Sequence, residues 1–251
     1  MTISIIKSSL LNLLKLAIGI VFCLAIWELI AIKVDNTYFM PRVKETFSAL
    51  AVLVKTSGFW KYVFTSLFRV TLGLIAGIFF GIILATLCHV IPLSKPFVSP
   101  LIIIMKATPI AAIILILWFT LSNAELAIFV VFLMVTPIVW QNVYDGYNSI
   151  SKKMREVCDI FEVSRSKKFK ILILPAIIKY LIPAIITSVG LAWKAEIAAE
   201  IMTYSNIGQS IDDFKTLHLD TPSVFAWAVV IIAFSLVLEL IIKSLLRRVK
   251  I

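Results

Sequence analysis

Nineteen consecutive residues without a charge, VTLGLIAGIFFGIILATLC from Val70 to Cys88, set the first constraint on this chain. A second uncharged run of the same length reaches from Leu126 to Tyr144. A helix crosses the hydrocarbon of a bilayer with about 20 apolar residues, and in lipid only a helix or a closed barrel satisfies its own backbone. The composition agrees. Of 251 residues 61% are hydrophobic and 15% charged, with a mean hydropathy of +1.04, where a soluble domain is about 45–50% apolar and about 25% charged. A soluble enzyme, a secreted disulfide scaffold and a disordered regulator are poor fits. Two histidines and fourteen acidic residues leave a metal-dependent hydrolase short of ligands, and no metal site is expected.

Six crossings are the simplest count, at about 11–31, 66–89, 97–121, 126–144, 177–199 and 221–242, in one transmembrane domain over 1–251. With the N-terminus inside, the inner segments hold fourteen Lys/Arg and the outer segments six. This bias places both termini in the cytoplasm of a multi-pass cell (inner) membrane protein. The net charge of +10 then reads as topology and contact with the lipid bilayer, and no nucleic-acid partner is expected. The first apolar stretch has no small-residue cleavage pattern and reads as a retained helix. Cys23, Cys88 and Cys158 show no metal-ligand spacing and read as core or lipid-facing thiols.

Four features go beyond crossing the membrane. Gly73, Gly77 and Gly81, continued by Ala85, repeat every fourth residue and make one smooth helix face suited to close packing. Lys106 stands one turn before Pro109 inside an apolar stretch, where an ammonium pairs, snorkels or faces water. GLAWKAEIAAE, Gly190 to Glu200, carries Trp193, Lys194, Glu196 and Glu200 at the outer end of an apolar helix. Glu196 and Glu200 share a face there, and the charges line an outer vestibule, contact a partner or sit at a hydrated helix end. The segment of about 148–170 is too charged to cross, yet Met154, Val157, Cys158 and Phe161 form one helical stripe. Lys152 with Glu156 and Arg155 with Asp159 are spaced for i,i+4 pairs on the other side. Such a helix lies on the bilayer or docks in a groove on a soluble partner.

That segment resembles the cytoplasmic loop motif of permease subunits from binding-protein-dependent ABC importers: EAA, three residues, Gly, nine residues, I-x-L-P. Glu156, Phe169, Leu172, Leu174 and Pro175 fit it; Val157 and Cys158 replace the alanines and Glu162 the glycine. With glutamate there, the break between two short helices is expected later, around Val163–Ser166. SLFRVTLGLIAGIFFG (66–81), ATPIAAIILILWF (107–119), VGLAWKAEIAAE (189–200) and NIG (206–208) are similar to segments of the nitrate/sulfonate/taurine group. Ile113, Thr120, Lys179 and Pro183 depart from that pattern.

The resemblance implies an all-α, six-helix type I ABC importer permease fold with a cytoplasmic coupling helix. It implies pairing with a second, identical copy, two cytoplasmic ATP-binding subunits and an extracytoplasmic solute-binding protein. Met154, Glu156, Val157, Asp159, Phe161 and Glu162 would couple to the ATPase. Lys106, Pro109, Trp193, Lys194, Glu196 and Glu200 become candidates for pathway or gate. The G-x-x-x-x-G-K-[ST] pattern does not occur, so ATP and Mg2+ are assigned to the partner ATPase, with no cofactor and no catalytic residue in this chain. The expected cargo is a sulfonate, a nitrate-like solute or a related organic anion. A secondary transporter, or an ABC permease for a vitamin precursor, is the alternative.

Overall fold

The computed structural model describes residues 2–246, with side chains placed for Lys15 and from Ala17 onward, and every regular element there is helical. The last basic residues of the expected cytoplasmic C-terminus, 247–251, and the side chain of Lys7 lie outside the described part. In order, α1 is Thr2–Val34, α2 Val43–Leu53, α3 Ser57–Val90, α4 Lys95–Ala107, α5 Ile110–Leu117 and α6 Asn123–Asn148. They are followed by α7 Lys152–Ile160, α8 Arg165–Lys168, α9 Leu174–Met202, α10 Asn206–Asp212 and α11 Thr221–Leu246. A π-helical turn, Phe169–Ile173, joins α8 to α9.

Five described stretches are long and apolar enough to cross a membrane: α1, α3, α6, the run Arg165–Met202 and α11. A sixth exists only if α4 and α5 count as one broken span, for they meet at 98°. The stretch 97–121 is therefore bent. Pro109 disfavours the helical region for the residue before it, and Thr108 sits at φ −75°, ψ 125°. Other ends follow local chemistry. Ser122 and Glu125 cap α6 reciprocally: the Ser122 hydroxyl accepts from Glu125 N–H at 3.4 Å, and Ser122 N–H donates to the Glu125 carboxylate at 3.0 Å.

The chain divides into two compact units. One contains the residues up to Trp60 together with Ile211–Val230. Within it Glu28, a charge inside the apolar α1, accepts from Val43 N–H at 2.9 Å and so satisfies the start of α2. Phe59 stacks on Trp227 with centroids 5.1 Å apart, and Trp27 donates to the Pro41 carbonyl at 3.0 Å.

The other unit holds Lys61–Ser210 and the chain from Ile231 onward. Its centre is α6, which packs against both α3 and α9. A Cβ added to Gly73, Gly77 or Gly81 would lie 2.6–2.7 Å from the Cβ of Val131, Val135 or Val139. The three pairs advance together along both helices, so α3 and α6 run parallel at backbone contact. Apolar side chains gain nothing from leaving lipid, and this close approach supplies the packing that association requires. Nearer the C-terminal end of α6, a Cβ added to Gly146 would lie 3.1 Å from the Cα of Ile177 in α9.

Candidate functional site

Three places collect the polar chemistry of the second unit. The first is the charged loop. Ser151 caps α7, its hydroxyl accepting from Met154 N–H at 3.3 Å. Met154, Val157, Ile160 and Phe161 are exposed, Phe161 at 76%, while Cys158 turns inward and is buried. The expected stripe is thus divided between two surfaces. Arg155 does not pair along the helix with Asp159. Its Nη2 donates to the Tyr147 carbonyl at 3.2 Å, and Asp159 pairs with Lys168 of α8 at 2.8 Å. Glu156 and Glu162 are exposed.

The break between α7 and α8 covers residues 161–164, overlapping the expected 163–166, and its turn lies at Glu162. Glu162 has φ 47°. Its N–H donates to the Asp159 carbonyl at 3.1 Å, and Val163 N–H donates to Cys158 at 2.9 Å. This is the double bond pattern that closes a helix through a left-handed residue, the conformation glycine adopts most cheaply. The turn persists although the sequence offers a glutamate.

The second place is the C-terminal end of α9. Glu196 and Glu200 are fully buried. The Glu200 carboxylate accepts from Ser66 Oγ at 2.7 Å, from Asn206 Nδ2 at 2.9 Å and from Ile207 N–H at 3.3 Å. It also pairs with Arg69 Nη1 at 3.4 Å. Neither oxygen of Glu196, one turn earlier, has a hydrogen-bond partner among the described residues. Tyr204 and Asn206 adopt positive φ, 50° and 44°, and fold α10 back onto the end of α9. Gly208 is pressed so closely there that a Cβ would collide with the Glu200 carbonyl. Trp193 is also fully buried; its Nε1 donates to the Ile231 carbonyl at 2.9 Å.

The third place is the open face of α9. Lys194 is exposed and lines a cleft of about 390 Å³ with Ile186, Thr187, Gly190, Leu191 and Glu239. Lys106, also exposed, donates to Gln141 Oε1 at 3.5 Å, and the Gln141 amide holds Asp145 at 3.1 Å. Lys106 lines a smaller cleft, about 150 Å³, with Met105, Leu133, Met134, Pro137, Ile138 and again Leu191. The two lysines therefore open into neighbouring clefts that share one wall. Pro109 stays exposed at the α4–α5 bend. Among the described residues no cluster suited to a metal ion occurs.

A family model described as "binding-protein-dependent transport system inner membrane component" matches residues 77–251. The chain belongs to that family. This inner membrane component is 24% identical to the taurine transport system permease protein TauC of Escherichia coli K12 over 233 residues, 88% of this chain and 83% of that protein. It is 30% identical over 142 residues to the nitrate import permease protein NrtB of a Synechocystis species, covering 56% of this chain and 51% of the other. Among solved structures it resembles one described as an amino acid ABC transporter with histidines, with a TM-score of 0.59 at 17% identity. The likeness covers 72% of this chain and 87% of that one and bears on the fold.

In this inner membrane component the isolated charge at Glu200 is legible from the sequence, but its partners Ser66, Arg69 and Asn206 are not, nor is Glu239 in the cleft of Lys194. One signal was present: Arg69 opens the long uncharged run, and an arginine at the edge of one apolar helix calls for a carboxylate on another.

Proposed function

We propose that the chain is the permease subunit of an ATP-driven ABC importer and forms the pathway for a small anionic solute. In this reading α1, α3, the bent α4–α5 pair, α6, α9 and α11 make six crossings of one permease domain over 1–251, with both termini in the cytoplasm. The segment of about 148–170 docks on an ATP-hydrolysing subunit that carries ATP and Mg2+. Two copies pair above two such ATPases, and an extracytoplasmic binding protein delivers solute.

The observation that carries the reading is the outward face of α7 in a chain of this family. Met154, Val157 and Phe161 are exposed apolar side chains on a helix whose flanks are charged, and burying them in a partner's groove is favourable. Glu156, Asp159 and Glu162 would surround that contact with polar groups. Lys106 and Lys194, opening into adjoining clefts, would line the pathway and favour anions. Buried Glu196, Glu200 and Trp193 would brace its outer wall, and Pro109 would set the bend beside it. Taurine and nitrate, named for the relatives, are the first solutes to test. Uptake of either, dependent on ATP and on a copurifying ATPase, supports the assignment. Uptake driven by an ion gradient with no ATPase attached points to a secondary transporter.

A further inference from the structure

We infer that Tyr147 is the joint through which movement of α7 reaches the inner ends of both α6 and α3. The inference rests on α7 being the segment that receives the ATPase stroke. Tyr147 lies in the last turn of α6 and is only 6% exposed. Its carbonyl accepts from Arg155 of α7 at 3.2 Å. A guanidinium at a helix C-terminus satisfies an orphan carbonyl and complements the helix dipole, so the contact is favoured twice. The side chain of Tyr147 points to the other neighbour. Its ring stacks on His89 of α3 with centroids 4.1 Å apart and 12° between planes, and its hydroxyl hydrogen-bonds Thr86 Oγ1 at 3.1 Å. Thr86 and His89 are three residues apart, on one face of α3.

This contact takes over where the glycine series stops. From Gly73 to Gly81 the helices touch backbone to side chain with no room for a Cβ; below that, Tyr147 is the bridge. Only residues 149–151 separate α6 from α7, and Ser149 bonds back onto Gly146 at 2.8 Å. A displacement of α7 is therefore delivered through Arg155 to the end of α6, and through the tyrosine ring to α3. The two helices then move as one body.

The test uses spin labels on Lys153→Cys in α7 and Leu87→Cys in α3, in a background with Cys23, Cys88 and Cys158 replaced. Labelled chains are diluted with cysteine-free copies. The complex is measured in membranes, nucleotide-free and trapped with ATP and vanadate. The expected unsubstituted result is one narrow distance, unchanged on trapping to within about 2 Å, the scale of ordinary helix shifts. Tyr147→Leu and Arg155→Gln should each broaden it severalfold, and Tyr147→Phe, which keeps the stack, should remain narrow. A distance that shifts on trapping in the unsubstituted chain overturns the inference, as does a Tyr147→Leu distribution that superimposes on the original. The Tyr147→Leu comparison is also made without nucleotide, so it decides the joint even if α7 seats on no ATPase. Docking itself is read separately, from ATPase copurification.

Discussion

Ser66 in α3 donates its hydroxyl proton to Glu200 in α9 at 2.7 Å, across 134 residues of chain, and Arg69 one turn later pairs with the same carboxylate. The two helices are tied by a charge-assisted bond inside an apolar unit. Removing one partner of a buried pair leaves the other charge uncompensated and costs about 3–5 kcal/mol. Arg69→Met should therefore lower the melting temperature of the purified chain sharply. Glu200→Gln keeps one acceptor oxygen but turns an amide NH2 toward a donor and leaves the Arg69 charge uncompensated, so it should lower the melting temperature comparably. Fluorescence-detected melting checks both, and equal melting of Arg69→Met and the unsubstituted chain would remove the pair from the account.

Gly77 and Val135 should behave as a coupled pair. Gly77→Ala places a Cβ about 2.7 Å from Val135 Cβ and should cost about 1–3 kcal/mol through overpacking. Adding Val135→Gly should recover part of that loss. A double-mutant cycle on the same melting assay should return a coupling energy of about 0.5–3 kcal/mol; simple additivity would place the two residues out of contact.

Glu162→Gly should stabilise the turn after α7. A left-handed L-residue costs about 1–2 kcal/mol, and glycine relieves it at the price of a looser unfolded chain. A net gain of about 1 kcal/mol slows exchange of the Val163 amide about fivefold. Hydrogen exchange by mass spectrometry measures it, and faster exchange would contradict the turn.

The contrast between what could be read from residue order and what could not has physical causes. Uncharged runs locate α3 and α6 because lipid forbids unpaired charge over that length. Glycines every fourth residue indicate a groove, yet nothing in the spacing names Val131, Val135 and Val139 as what fills it, since partner choice is tertiary. The bend at Thr108–Pro109 was visible as a proline, while its 98° angle depends on the packing of α4 and α5. The break at 161–164 overlaps the expected 163–166, while its turn at Glu162 depends on hydrogen bonds to Asp159 and Cys158 that residue order does not show. Spacing alone predicts an i,i+4 pair of Arg155 with Asp159, whereas Arg155 bonds the Tyr147 carbonyl and Asp159 pairs with Lys168.

Lys106→Met and Lys194→Met should each reduce uptake of the anion that the complex carries several-fold, leaving assembly unchanged. Lys106→Arg, which keeps the charge, should be milder. Initial rates in proteoliposomes give the comparison. Unaltered rates in both methionine variants would return the lysines to an interfacial, structural role.

The central claim is that α7 seats on an ATP-hydrolysing subunit, and Phe161→Asp addresses it most directly. Phe161 is 76% exposed on the outward face of α7, and a carboxylate there would be desolvated in an apolar groove. The tagged chain is purified from its own membranes, and the copurifying ATPase is quantified per chain inserted. The unsubstituted chain should retain the ATPase and Phe161→Asp should lose it at least about tenfold, a binding change of about 1.4 kcal/mol or more, with insertion unaffected. Equal ATPase recovery with both chains would contradict it.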